Sequence, residues 1–205
     1  MPKISEAARL EVRRSILLSA WKCFSRQGFH ATSMDDVIAE TGMSSSSVYR
    51  YFRSKEDLVD AAAQDTMAQT YSSLAELLDQ DPVPGPAETL TMLVDNLRSR
   101  RGGEYDLTKI SMAAWAEALR RPEMHDVVHQ FYAKMTGLFT ALTQRWASEG
   151  TVPDGSDPNA LPSLFVTLMP GMIVMSHLYE LPDAESLARG VADFAAAMKS
   201  RASQS

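Results

Sequence analysis

Residues 42–58 read GMSSSSVYRYFRSKEDL. Four consecutive serines usually mark a flexible linker, yet these run straight into two tyrosines, an arginine, a phenylalanine and a lysine. A linker has no use for such a cluster at its end. Taken as a helix over about 45–52, the stretch becomes coherent. Val48 and Phe52 then fall four apart on one face, and Ser45, Ser46, Tyr49 and Arg50 share the opposite one.

Working upstream, Val12, Ile16, Ala20 and Phe24 recur every four residues with Leu17 and Trp21 beside them, one apolar face of a first helix. Gly28 stands where a helix end favours a left-handed residue. Ser33 followed by Asp36 makes a capping-box-like start to a short second helix, whose Met34, Val37, Ile38 and Thr41 can face inward. Gly42 ends it. Helix, tight turn and second short helix form a helix-turn-helix, the arrangement that lays its second helix in the DNA major groove. Small hydroxyl side chains at the start of that helix let its backbone approach the groove and can bond base edges or phosphates. Tyr49 and Tyr51 sit at the groove walls, Arg50 can reach a base or a phosphate, and Lys55, in the first turn of the next helix, faces the duplex backbone. The same pattern also fits a plain helical bundle with a polar corner.

A longer match narrows this choice. The stretch from Ile16 to Leu58 carries Gly28-Phe29, Ala31-Thr32-Ser33, Ala39 with Gly42-Met43-Ser44, and Val48-Tyr49 followed by Phe52, Lys55 and Leu58. In these features it resembles the DNA-binding domain of the TetR family of bacterial transcriptional regulators, over about a quarter of the chain. The resemblance implies phosphate contacts from Thr32, Ser33, Tyr49 and Lys55, and base or phosphate contacts from Ser44, Ser45, Ser46 and Ser47. Arg50 and Tyr51 fall at positions that vary in the family. Serine at all four of 44–47 supplies no bidentate base reader, which shifts specificity toward Arg50, water-mediated contacts and DNA shape.

Downstream the chain is expected to be helical throughout. Ser54 and Asp57 open a long helix toward Gln80, and DPVPGP at 81–86 is the clearest break. Further helices are expected over 87–101, 106–120 and 122–148, then about 160–180 and 183–200. The fold class is therefore all-α, about nine helices, with a helix-turn-helix domain at 1–53 and a larger body at 54–205. The family resemblance implies that this body binds an effector and dimerises through its last two helices. The sequence permits that: LPSLFVTLMPGMIVMSHLYEL is apolar almost all round, and Leu187, Val191, Phe194, Ala195 and Met198 make a second stripe. Pro170 is expected to kink or interrupt the first of these helices. Met92, Met112, Trp115, Phe131, Met135, Phe139, Phe165, Met169 and His177 are candidate walls for a hydrophobic effector, although apolar residues at helical spacing are commonly plain core.

Composition and charge limit the alternatives. One cysteine, Cys23, precludes an intrachain disulfide framework and fits a reducing, cytoplasmic setting. The net charge is −6, but residues 1–57 hold nine Lys/Arg against seven Asp/Glu, leaving 11 against 19 for the rest. A mildly basic N-terminal module on an acidic body confines a DNA backbone to one face. The apolar run Leu164–Met175 is too short to span a membrane, so no membrane partner is expected. His125 and His129 have a metal-capable i, i+4 spacing but no third ligand, and Ser19-x-x-Lys22 lacks companion motifs. No metal, cofactor or enzymatic activity is expected. The reading is a cytoplasmic, ligand-responsive repressor that binds a palindromic operator as a homodimer and is released by a small hydrophobic effector. The alternative is a nucleoid-associated or structural DNA-binding protein of the same fold without an effector.

Overall fold

The structure is a computed structural model that describes residues 5–101, 103–152, 157, 159–180, 183–191 and 193. The described residues form helices α1 (Glu6–Ala31), α2 (Met34–Thr41), α3 (Ser45–Tyr49), α4 (Lys55–Ala75), α5 (Pro86–Ser99), α6 (Leu107–Ala118), α7 (Pro122–Ser148) and α8 (Ala160–Leu178). A 3₁₀ turn, Glu76–Asp79, follows α4, and residues 184–191 are again helical. The all-α expectation holds: no strand occurs among the described residues.

Two compact units result, Met1–Ser72 with Arg100–Phe131, and Ser73–Ser99 with Tyr132–Ser205. The helix-turn-helix segment thus belongs to a larger unit that includes most of α4 and all of α6. Its core gathers Ile16, Leu17, Ala20, Trp21 and Phe24 from α1, Val37 from α2, Val48 and Phe52 at α3, and Ile110 and Ala114 from α6. Burial of this apolar set is the main term stabilising the unit. Trp21 and Tyr105 lie 5.1 Å apart, Phe24 and Phe29 meet edge-on at 4.9 Å, and the Ser25 hydroxyl accepts from the Asp106 amide at 2.7 Å. Cys23 is buried in this core as a small apolar residue, and burial pushes its thiol up.

In the second unit, Phe139 stacks on Phe165 at 4.8 Å, Trp146 tilts against Phe165, and the Trp146 Nε1 donates to the Pro84 carbonyl at 2.7 Å. Here α5 packs on α8. Helix α8 runs unbroken through Pro170, so the expected interruption does not occur. Phe165, Met169 and Met172 are buried on both sides of the proline, and that packing holds the helix where a backbone donor is missing. With 19 residues, α8 matches the helix expected over about 160–180. By length and composition alone it could cross a bilayer, and only 28% of its apolar window is buried. The remainder of the expected last helix, 194–200, lies outside the described residues, as do Phe194, Ala195 and Met198.

Candidate nucleic-acid interface

Each turn of the helix-turn-helix is set by a local signal. The α1 helix breaks at Gly28, whose φ of 78° is left-handed, and Thr32 closes the break by donating its hydroxyl to the Gly28 carbonyl at 2.8 Å. Ser33 and Asp36 form the expected capping box at the start of α2: the Asp36 amide donates to Ser33 Oγ at 3.1 Å, and the Ser33 amide to Asp36 Oδ2 at 2.7 Å. Those bonds from the Ser33 amide and hydroxyl hold the Asp36 carboxyl below its usual value. Gly42, at φ 67°, caps α2 in the left-handed region, and Ser44 caps α3 by accepting from the Ser47 amide at 3.3 Å.

On α3 the two faces separate as the spacing requires. Val48 is fully buried and Phe52 nearly so, whereas Ser45, Ser46, Tyr49 and Arg50 are exposed, Tyr49 by 43%. The helix is shorter than the expected 45–52. It ends at Tyr49, and Arg50 and Tyr51 form a tight turn in which the Tyr51 and Phe52 amides both donate to the Val48 carbonyl. Ser44 Oγ lies 2.8 Å from Ser47 Oγ and 3.2 Å from Ser46 Oγ, so part of the serine run's bonding capacity is spent internally.

A polar corner ties this module to α6 and to the turn before α7. Lys55 Nζ donates to the His30 carbonyl at 2.9 Å, His30 Nε2 lies 2.8 Å from Glu117 Oε1, and Arg121 Nη2 bonds Asp60 Oδ2 at 3.0 Å. Phe29, His30, Lys55, Glu56, Val59, Glu117 and Arg121 line a cavity of about 140 Å³ here. These contacts join the end of α1 and the start of α4 to the α6–α7 corner.

Comparison with known proteins places the chain. The sequence model of the bacterial regulatory proteins of the tetR family matches residues 16–62, and that of the BetI-type transcriptional repressor C-terminal region matches 86–199, more than half of the chain. The chain belongs to the TetR family. TetR-family proteins are transcriptional regulators rather than enzymes. The uncharacterized HTH-type transcriptional regulator YfiR of Bacillus subtilis is 24% identical over 191 residues, 91% of each chain. The HTH-type transcriptional regulator BetI of Escherichia coli is 23% identical over 120 residues, 55% of this chain and 58% of BetI. Among solved structures, a putative transcriptional regulator from Saccharomonospora viridis in complex with choline superposes with a TM-score of 0.73 at 21% identity, covering 90% of this chain and 95% of its own. A TetR transcription regulator from Haloarcula marismortui also gives 0.73, at 18% identity over 92% and 98%. These likenesses confirm the TetR fold.

Within that fold, Ser33, Ser44, Ser45, Ser46, Tyr49 and Arg50 are exposed around α2 and α3, with Ser47, Tyr51 and Lys55 half-buried beside them. Thr32 differs. It is buried, and its hydroxyl donates to the Gly28 carbonyl. Arg53, not singled out from the sequence, is exposed between Arg50 and Lys55; its amide donates to Asp57 Oδ2 at 3.1 Å, and its guanidinium forms no ion pair among the described residues. The signal was its place in a basic triplet spaced 50, 53, 55. His30 was also missed, because nothing local to it announces Glu117.

The nine candidate effector residues are divided between the two units. Met112, Trp115 and Phe131 are half-buried in the first unit. Met135, Phe139, Phe165 and Met169 are core of the second, His177 is half-buried there, and Met92 is exposed on α5. None of the nine lines the cavity at the polar corner. His125 and His129 stack on an exposed face at 6.1 Å, and no group of three or more metal-capable side chains occurs among the described residues.

Proposed function

We propose that this TetR-family regulator is a dimeric repressor that binds a palindromic operator and is released by a small effector. The DNA-binding part is 1–53 and the effector-binding and dimerisation part 54–205. The observation that carries the reading is the division of α3: Val48 and Phe52 lock it onto the core, leaving Ser45, Ser46, Tyr49 and Arg50 exposed. Such a helix enters a major groove with its polar face leading. Ser33, Tyr49, Arg53 and Lys55 contact phosphates, which positions the protein, while Ser44–Ser47 and Arg50 meet bases. The serine hydroxyls discriminate bases weakly, so DNA shape carries much of the specificity. A similarity to a BetI-type repressor region supports repression, and a similar protein in complex with choline supports a small-molecule effector. The protein acts in the cytoplasm, where its DNA is.

Effector binding biases the dimer toward a spacing of its two α3 helices that no longer matches the half-sites, which requires different affinity for the two spacings. The ties from Glu117 to His30, from Lys55 to the His30 carbonyl and from Arg121 to Asp60 support α6 and α4 as the route. Selection of sites from random duplex DNA, followed by salt-dependent affinity on the enriched sequence, tests the reading. A spaced palindrome with a steep salt slope is the expected result. Unselective, salt-sensitive binding would instead establish the nucleoid-type protein, a reading favoured by the serine-only recognition turn.

A further inference from the structure

Helix α1 divides by how its cations are matched. In its second half Lys22 pairs with Glu104 and Arg26 with Glu40. In its first half Arg9, Arg13 and Arg14 are exposed and form no ion pair among the described residues. Of these, Arg13 has a fixed seat. Its Cζ stands 5.1 Å from the centroid of the Phe52 ring.

That seat belongs to the turn that ends α3. Phe52 is 3% exposed, and its amide and that of Tyr51 both donate to the Val48 carbonyl, which fixes the ring to the last turn of α3. Arg50 and Arg53 are exposed on either side of it in sequence. A guanidinium over a ring face is held by the quadrupole of the ring and spends none of its five N–H groups. Arg13 therefore brings a full charge and unspent donors to the α3 turn. The carboxylates of the same stretch of α1 do not consume them. Glu11, two residues away, leaves the helix on the opposite side, and Glu6 forms no ion pair with it.

The geometry points to Arg13 as a phosphate contact made from α1, which carries the DNA interface beyond the helix-turn-helix. The DNA-binding model of the family matches residues 16–62, so Arg13 lies upstream of what that likeness covers. Its partner is the backbone rather than a base. With α3 in the groove, a side chain from the neighbouring helix at the end of α3 meets the strand that borders the groove. The planar fork engages two phosphate oxygens together. Such a contact adds affinity without reading sequence. The inference rests on the DNA-binding reading above and adds a residue to its interface.

Salt-dependent affinity of the full chain for the enriched operator and for a scrambled duplex tests it, in wild type, Arg13→Met, Arg13→Lys and Arg14→Met. Methionine keeps an apolar stem over Phe52 and removes the charge. Arg13→Met is expected to bind both duplexes roughly ten-fold more weakly and to lower the salt slope by about one per bound protomer. Arg13→Lys, with charge but no planar fork, keeps the slope and falls between in affinity. Arg14→Met makes the same change in net charge with no ring beneath it and leaves the slope close to wild type. An unchanged slope in Arg13→Met overturns the inference, as does an equal effect of Arg14→Met, which assigns the loss to net charge. A loss confined to the enriched operator overturns it too, because that is base reading. Arg13 without the slope change is only a cover for Phe52. If Arg13→Met melts well below wild type, the wild-type chain decides: duplex DNA should shield Arg13 from phenylglyoxal while Arg14 still reacts. Equal reaction of Arg13 with and without duplex overturns the inference. A wild-type chain that selects no operator removes the operator-specific reading, while the scrambled duplex still decides Arg13. One that binds no duplex overturns both.

Discussion

Lys55 has one observed contact and one proposed, and the salt slope tells them apart. Its Nζ donates to the His30 carbonyl, and its charge is assigned to a phosphate. Lys55→Ala should weaken DNA binding uniformly across sequences and lower the salt slope by about one, since one phosphate contact and its released counterion are lost. An unaltered slope would confine Lys55 to the tie with His30. Tyr49→Phe removes only a hydroxyl from an exposed ring, so affinity should fall by roughly 1 kcal/mol with thermal stability unchanged. Asp36 makes a prediction about acid. Its folded pKa lies below the unfolded value of about 3.9 because the Ser33 amide and hydroxyl bond the carboxylate. The stabilisation is therefore complete above that value and is lost as pH falls through the lower folded pKa. Denaturation midpoints followed downward from pH 6 should drop less steeply below about pH 4 in Asp36→Asn than in wild type. Parallel curves would show that the capping box contributes nothing through charge.

At the scale of the element, the turn between α2 and α3 depends on Gly42. A Cβ added there meets nothing within 4 Å, so the cost of Gly42→Ala is the left-handed backbone alone, about 1–2 kcal/mol. A fall in urea midpoint with an unchanged m-value is expected, and a smaller one for Gly42→Asn, which tolerates that conformation. An alanine variant as stable as wild type would mean the turn can adopt another backbone. This turn also shows what a sequence can disclose. Ser33, Gly42 and Ser44 each bond or bend within three or four residues of themselves, so α2 and the start of α3 were legible. The opening of α7 at Pro122 was legible for the same reason. The end of α3 was not, because Phe52 is drawn into a core built from α1 and α2 and the chain tightens to deliver it. What packs against Phe139 was not legible either. Whether Phe139 lines a cavity or fills one depends on Phe165 from another helix, and helical spacing is silent on such partners.

For the whole molecule, symmetry has to bring two α3 helices onto one duplex. The described surface of α8 and its end offers the means: Met175, Leu178 and Tyr179 are exposed, the latter two by 78% and 73%, on a helix already apolar nearly all round. We assign the two-fold contact to this face, where the same patch from both protomers becomes self-complementary. A glutamate at its centre places two like charges against each other in an apolar setting, so Leu178→Glu should give a monomer in sedimentation while each protomer stays folded. Operator affinity then falls on the order of 10²–10⁴-fold, because the second half-site is no longer held at high effective concentration. The salt slope distinguishes this from simple damage. If the protomers contribute equally to the phosphate contacts, the monomer's slope is about half that of the dimer. A variant that remains dimeric, or that loses affinity while keeping the full slope, would place the two-fold axis on another face. With the axis elsewhere, the expected spacing between half-sites would change as well.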